Sequence, residues 1–145
     1  PVTIGHVDAI RRAASLCDKL YVVVGVNIGK KYAMSDDDRL AAVKAATAKI
    51  ANVECVLHRG LLVDFCKSVN ANVMYKVVRG ADELSEVTTL VDINRDMWEG
   101  ETVFIVADRN MRHVSASLVR ELAAFGKDYS AYVPEAALEI VKRSF

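Results

Sequence analysis

Two short runs near opposite ends of the chain carry residue types that handle anions: Thr3-Ile4-Gly5-His6 and Ser115-Ala116-Ser117-Leu118-Val119-Arg120. Each stands where a helix would begin. A helix start offers backbone N–H groups without intrahelical partners and the positive end of the macrodipole, so a phosphate is stabilised there. Gly5 lets the backbone approach such a ligand, Ser115 and Ser117 add hydroxyls, and His6 is suited to donate a hydrogen bond to a phosphate oxygen. Read one at a time, Thr3 and Ser115 are ordinary N-caps and His6 a histidine beside one. Taken as a pair, the runs predict chemistry on the phosphates of a nucleotide.

The elements that must position these residues alternate along the chain. Val7, Ile10, Ala14 and Cys17 share one helical face, and residues 20–26 form a β-branched run suited to a strand buried on both sides. Ser35 before Asp36, Asp37 and Asp38 is an N-cap followed by acids in the first turn, starting a helix that runs toward Ile50. Strands are predicted over 53–57, 73–78 and 102–106, and helices over 62–69, 86–97, after Ser115 and after Pro134. This order predicts one α/β domain over 1–145 built on a doubly wound parallel sheet. Lys30 then follows the first strand, at the end where ligands collect in such sheets, and its flexible point charge can bridge two phosphates. The helix that opens the chain lacks the preceding strand that a parallel crossover requires, so roughly ten further residues, one strand and a turn, are expected ahead of Pro1.

Composition narrows the functional classes. Lys plus Arg and Asp plus Glu balance at 19 each, so no global field draws the protein to nucleic acid or to an anionic membrane, and any anion site must be local. Cys17, Cys55 and Cys66 form an odd set without C-x-x-C spacing, which argues against a disulfide scaffold or a zinc site and for reduced thiols in the cytoplasm. No apolar run reaches membrane-spanning length.

Several runs recur in one order: Pro1-Val2-Thr3-Ile4-Gly5-His6, Lys30-Lys31, Gly60-Leu61-Leu62-Val63-Asp64-Phe65, Val78-Arg79-Gly80, Asn94-Arg95 and Val114-Ser115-Ala116-Ser117-Leu118-Val119-Arg120. In that order they resemble the bacterial phosphopantetheine adenylyltransferase family, over essentially the whole chain. The resemblance implies a Rossmann-like fold and transfer of adenylyl from ATP to 4'-phosphopantetheine, giving dephospho-coenzyme A and pyrophosphate. It further implies magnesium as cofactor, a homo-oligomer that is commonly a hexamer, and possible feedback binding of coenzyme A. By the same resemblance His6, Lys30 and Arg79 act in catalysis, Gly5, His6, Arg79, Gly80, Val114, Ser115 and Ser117 bind ATP, and Lys30, Leu61, Leu62 and Lys76 bind the acceptor.

The sequence departs from the family at two places. Ala116 stands in a run where the family prefers three hydroxyl residues. The family's R-G-L-R is replaced around Tyr75-Lys76-Val77-Val78-Arg79-Gly80-Ala81-Asp82, where two alignments compete. Without gaps, Lys76 and Arg79 fall on the two family arginines; matching the R-G dipeptides puts Arg79 first and Asp82 second. The ungapped version is preferred because it keeps Asn94-Arg95 in register, and Lys for Arg at 76 loses a bidentate fork. Alternatives are a cytidylyltransferase of the same superfamily and a silent relative that binds nucleotide or coenzyme A without turnover.

Overall fold

The computed structural model describes residues 1–27, 29 and 31–145. Helix α1, Ile4–Ala14, is capped by Thr3 and packs Ala9, Ala13 and Ala14 inward. It leads to β1, Leu20–Gly25; α2, Asp36–Thr47; and β2, Val53–His58. Next come α3, Leu62–Ser68; β3, Val73–Val78; α4, Ala81–Met97; and β4, Glu101–Val106. The chain closes with α5, Ala116–Ala124, a 3-10 turn at Ser130–Tyr132, and α6, Glu135–Lys142.

The strands are parallel, as βαβ crossovers of this length require. Strand β1 pairs β2 from Leu20 opposite Val53 to Gly25 opposite His58, and β3 pairs β4 from Val73 opposite Glu101 to Val78 opposite Val106. The α/β class is therefore as expected. Among the described residues, however, the hydrogen-bonded ladder forms two two-stranded sheets instead of one continuous sheet. This has a consequence for β1, which was expected to be buried on both sides. Only Val24 in it is fully buried, because Val22–Gly25 border an open cavity.

Two apolar clusters hold the layers. Val2, Met34, Ala42, Val119, Val133, Ala137 and Val141 join the N-terminal residues to α2, α5 and α6. Val119 and Val141 are wholly enclosed, and burying each contributes about 2 kcal/mol. A second cluster of Val63, Cys66, Met74 and Trp98 joins α3 to β3 and to the residue that ends α4. Trp98 donates its ring N–H to the Ala71 carbonyl at 3.2 Å, so it is a packing residue with its one polar atom satisfied. The three cysteines are unpaired.

Helix α4 starts at Ala81, five residues before the position expected from periodicity at Glu86. The early start has a local cause. Asp82 and Glu83 sit in its first turn, where acids favour the positive end of the helix, and Glu83 accepts the backbone N–H of Arg79 at 2.9 Å. Pro134 occupies the N-cap of α6 and not its first helical position, with Glu135 opening the helix.

Candidate active site

The start of α1 is a capping box in which histidine takes the place of the usual Glu or Gln. The Thr3 hydroxyl accepts the His6 backbone N–H at 3.4 Å, and the Thr3 backbone N–H donates to His6 Nδ1 at 3.1 Å. A backbone N–H can only donate, so Nδ1 is the unprotonated nitrogen. The Thr3 hydroxyl, 2.7 Å from the same atom, therefore donates its own proton there. In the neutral ring the remaining proton must sit on Nε2, which leaves one N–H donor free to face a ligand. The ring stays open to the cavities it lines, and partial desolvation by their walls lowers its pKa below the ordinary 6.5, with the positive charge of Arg79 acting in the same direction. The tautomer and the neutral state thus follow from one threonine and the surrounding walls.

His6 lines two cavities. The first, about 410 Å³, is bounded by Thr3, Gly5, His6, Val77, Arg79, Glu83, Asp108, Val114, Ser115 and Ser117 among others. It gathers the starts of α1 and α5 and the C-terminal ends of β3 and β4, the place where open α/β sheets collect ligands. A Cβ on Gly5 would lie 3.7 Å from Thr3 Oγ1 and 3.9 Å from both the Met111 carbonyl and Val114, all cavity walls, so glycine leaves that space to a ligand. Ser115 caps α5 by accepting the Leu118 N–H at 3.0 Å, which leaves its hydroxyl proton available. Ser117 accepts from Arg120 Nη2 at 2.8 Å.

The second cavity, about 660 Å³, lies against β1 and is bounded by Pro1, Val2, His6, Ile10, Val22–Gly25, Lys31, Arg39, Ala116 and Arg120 among others. His6 and Ala116 belong to both cavities. Arg39 ties the end of β1 to the start of α2. It donates to the Gly25 carbonyl at 2.7 Å, pairs with Asp36 at 3.2 Å, and lies 3.8 Å over the Tyr32 ring.

The fold therefore brings together Gly5, His6, Arg79, Val114, Ser115 and Ser117 around the smaller cavity. Gly80 is the N-cap of α4, next to Arg79 but not on the cavity wall. Lys76 lies inside β3, opposite Phe104, and lines neither cavity. The position directly after β3 is held by Arg79. Leu61 and Leu62 open α3, Leu61 exposed and Leu62 packed against the second cluster, and they also line neither cavity. Lys30 lies outside the described residues, although its neighbours Gly29 and Lys31 line the larger cavity.

Comparison with known proteins bears directly on this arrangement. Residues 1–122 match the model of the cytidylyltransferase-like family. A phosphopantetheine adenylyltransferase of Clavibacter michiganensis is 39% identical over 96% of this chain and 88% of its own length. The chain belongs to the phosphopantetheine adenylyltransferase family. Relatives of the same name from Nocardioides sp. and Rubrobacter xylanophilus are each 37% identical, over 94% and 100% of this chain and 86% and 89% of their own lengths.

Within this family chain, Glu83, Asp108 and Arg39 are cavity residues that motif reasoning did not single out. Arg39 carried a signal in hindsight, the Asp36-to-Arg39 spacing that lets the two pair on one helical face. Glu83 carried another, an acid three residues past Gly80 and able to reach back. Asp108 follows β4 and its carboxylate accepts the Asn110 N–H at 2.7 Å, a turn contact with no distinctive sequence pattern.

Proposed function

We propose that this chain transfers the adenylyl group of ATP to 4'-phosphopantetheine, forming dephospho-coenzyme A and releasing pyrophosphate. The observation that carries the reading is His6. Its Nδ1 is engaged by both Thr3 donors, and its ring forms a shared wall between a cavity lined by two helix starts and a second one against β1. An acceptor-phosphate oxygen attacks the α-phosphorus of ATP from one side as the bond to the β-phosphate oxygen breaks on the other. The pyrophosphate leaves with that electron pair. No covalent protein intermediate is required, so the protein's contribution is alignment of two anions and stabilisation of the charge that builds on the α-phosphate oxygens.

In this proposal Nε2–H of His6 donates to an α-phosphate oxygen. The open N–H groups at the start of α5, with the Ser115 and Ser117 hydroxyls, receive the β- and γ-phosphates. Gly5, Gly80 and Val114 shape the nucleotide's surroundings, and Arg79 adds the guanidinium. Lys30 bridges the two reacting phosphates, while Leu61, Leu62 and Lys76 meet the pantetheine arm; these four roles rest on the family resemblance alone. Magnesium enters as the companion of ATP. Among the described residues no three metal-binding side chains come together, Glu83 is engaged with Arg79, and Asp108 accepts a turn N–H.

No helix among the described residues is long and apolar enough to cross a membrane. On the family resemblance alone, we propose that the reaction takes place in the cytoplasm. A homohexamer and feedback by coenzyme A are proposed on the resemblance. Exposed Leu84, Leu90 and Ile93 on α4 suit an interface, which light scattering reads directly.

The test is pyrophosphate release with magnesium, offering ATP or CTP against 4'-phosphopantetheine or glycerol 3-phosphate. Turnover confined to ATP with phosphopantetheine is expected. Turnover with CTP would place the chain with the cytidylyltransferases, and tight nucleotide binding without turnover would make it a sensor.

A further inference from the structure

Arg79 is the guanidinium of the smaller cavity, and it does not stand alone. It follows β3 directly and precedes Gly80, the N-cap of α4, while Glu83 is the third residue of that helix. One oxygen of the Glu83 carboxylate accepts the Arg79 backbone N–H at 2.9 Å. The other accepts Nε–H at 2.7 Å and also meets Nη2. Both residues line the cavity.

The geometry divides the five N–H donors of the guanidinium into two sets. The edge carrying Nε and one Nη2 hydrogen is committed to Glu83. The far end, with both Nη1 hydrogens and the second Nη2 hydrogen, is left as a fork of the kind that grips phosphate. With the arginine side chain 47% exposed and the glutamate 33%, this ion pair adds little to stability. Its effect is on orientation. A long, freely rotating arginine becomes one whose direction is fixed at the backbone, at Nε and at Nη2, by a carboxylate rooted in the first turn of a helix.

We propose that Glu83 is a positioning residue, holding Arg79 so that the free end of its guanidinium meets the nucleotide's phosphates. The proposal rests on the nucleotide-binding reading of this cavity. It assigns Glu83 no contact with substrate. An acid beside a polyanion is tolerated there because its charge is engaged by the arginine it directs.

A double-mutant cycle tests this, with ATP binding measured by calorimetry and kcat/KM by pyrophosphate release in the unsubstituted protein, Glu83→Ala, Arg79→Ala and the double variant. Glu83→Ala is expected to weaken both quantities about 10-fold when Arg79 is present and less than about 2-fold when it is absent, because directly coupled groups are non-additive. Glu83→Gln, which keeps an acceptor oxygen for Nε–H, should recover to within about 3-fold of the parent. It also serves if the alanine variant fails to fold. Equal losses in both backgrounds, no loss in either, or tighter ATP binding on removal of the carboxylate would overturn the proposal. If the unsubstituted protein binds ATP but releases no pyrophosphate, the proposed reaction fails while the binding cycle still decides the role of Glu83.

Discussion

Replacing Thr3 by valine isolates the device that sets the His6 ring. Thr3 is 1% exposed, so valine fills nearly the same space and what is lost is the hydroxyl. That hydroxyl makes a 2.7 Å bond to His6 Nδ1 and a longer 3.4 Å cap to the His6 N–H. Loss of an N-cap costs about 1 kcal/mol, and loss of a second, partly buried hydrogen bond about another, offset in part by the more favourable burial of a methyl group. A net cost of about 1.5 kcal/mol lowers Tm by about 3–6 °C in a chain of this size, which thermal unfolding followed by circular dichroism resolves. Because the Thr3 backbone N–H still reaches Nδ1, the tautomer survives and the ring loses only part of its constraint. Turnover should therefore fall by about 10-fold, well short of what removing the imidazole would do. Thr3→Ser, which restores both hydrogen bonds, should recover most of that loss. The reasoning is refuted if Thr3→Val leaves both Tm and turnover unchanged, or if its effect on turnover persists undiminished when residue 6 is already alanine.

Removing the ring altogether, His6→Ala, is expected to reduce kcat by about 100-fold or more while ATP affinity changes by less than about 5-fold, since the Nε2–H bond strengthens as charge builds on the α-phosphate. Equal losses in both quantities would contradict it. The lowered pKa of His6, caused first by desolvation and then by the charge of Arg79, means that the unfolded chain takes up the proton more readily than the native one. Stability should accordingly hold above pH 6.5 and decline as pH falls from 6.5 toward the native value, modestly because cavity solvent reaches the ring; His6→Gln should flatten that slope in denaturant titrations run across pH. Gly100→Ala drives a Cβ into the buried Trp98 ring, so it should destabilise the protein by about 1–3 kcal/mol in urea unfolding, and an unchanged midpoint would show that the ring swings aside freely.

Much of the fold could be read locally. Thr3 with His6 three residues on, Ser35 before three acids, and Ser115 at the head of an apolar-periodic run each carry their helix start in the immediate sequence, and the structure caps a helix at all three. What escaped depends on partners distant in the chain. The pairing of β1 with β2 and of β3 with β4 joins segments more than thirty and twenty residues apart, and the apolar content of a strand does not name its partner. Helix α4 hid its start because Gly80-Ala81-Asp82 reads as a loop until Glu83 is seen reaching back to Arg79. Lys76 shows the limit of counting residues without gaps. The expected strand over 73–78 already held Lys76 in its interior, and the structure keeps it there opposite Phe104 and off both cavity walls, with Arg79 at the strand end. Arg39 was missed for a related reason, since its role depends on the Gly25 carbonyl and the Tyr32 ring in addition to its helical neighbour Asp36.

The wall shared by the two cavities has a thermodynamic consequence. Wherever His6 and Ala116 form part of both linings, a ligand that shifts either residue in one chamber alters the surface offered in the other. Any coupling between ligands held in the two chambers would be reciprocal, so whatever factor one applied to the affinity of the other would be returned in equal measure. At Ala116 only a methyl group stands in both linings. A bulkier residue there would be felt on both sides at once, so the order in which two ligands enter and the strength with which each is held would change together.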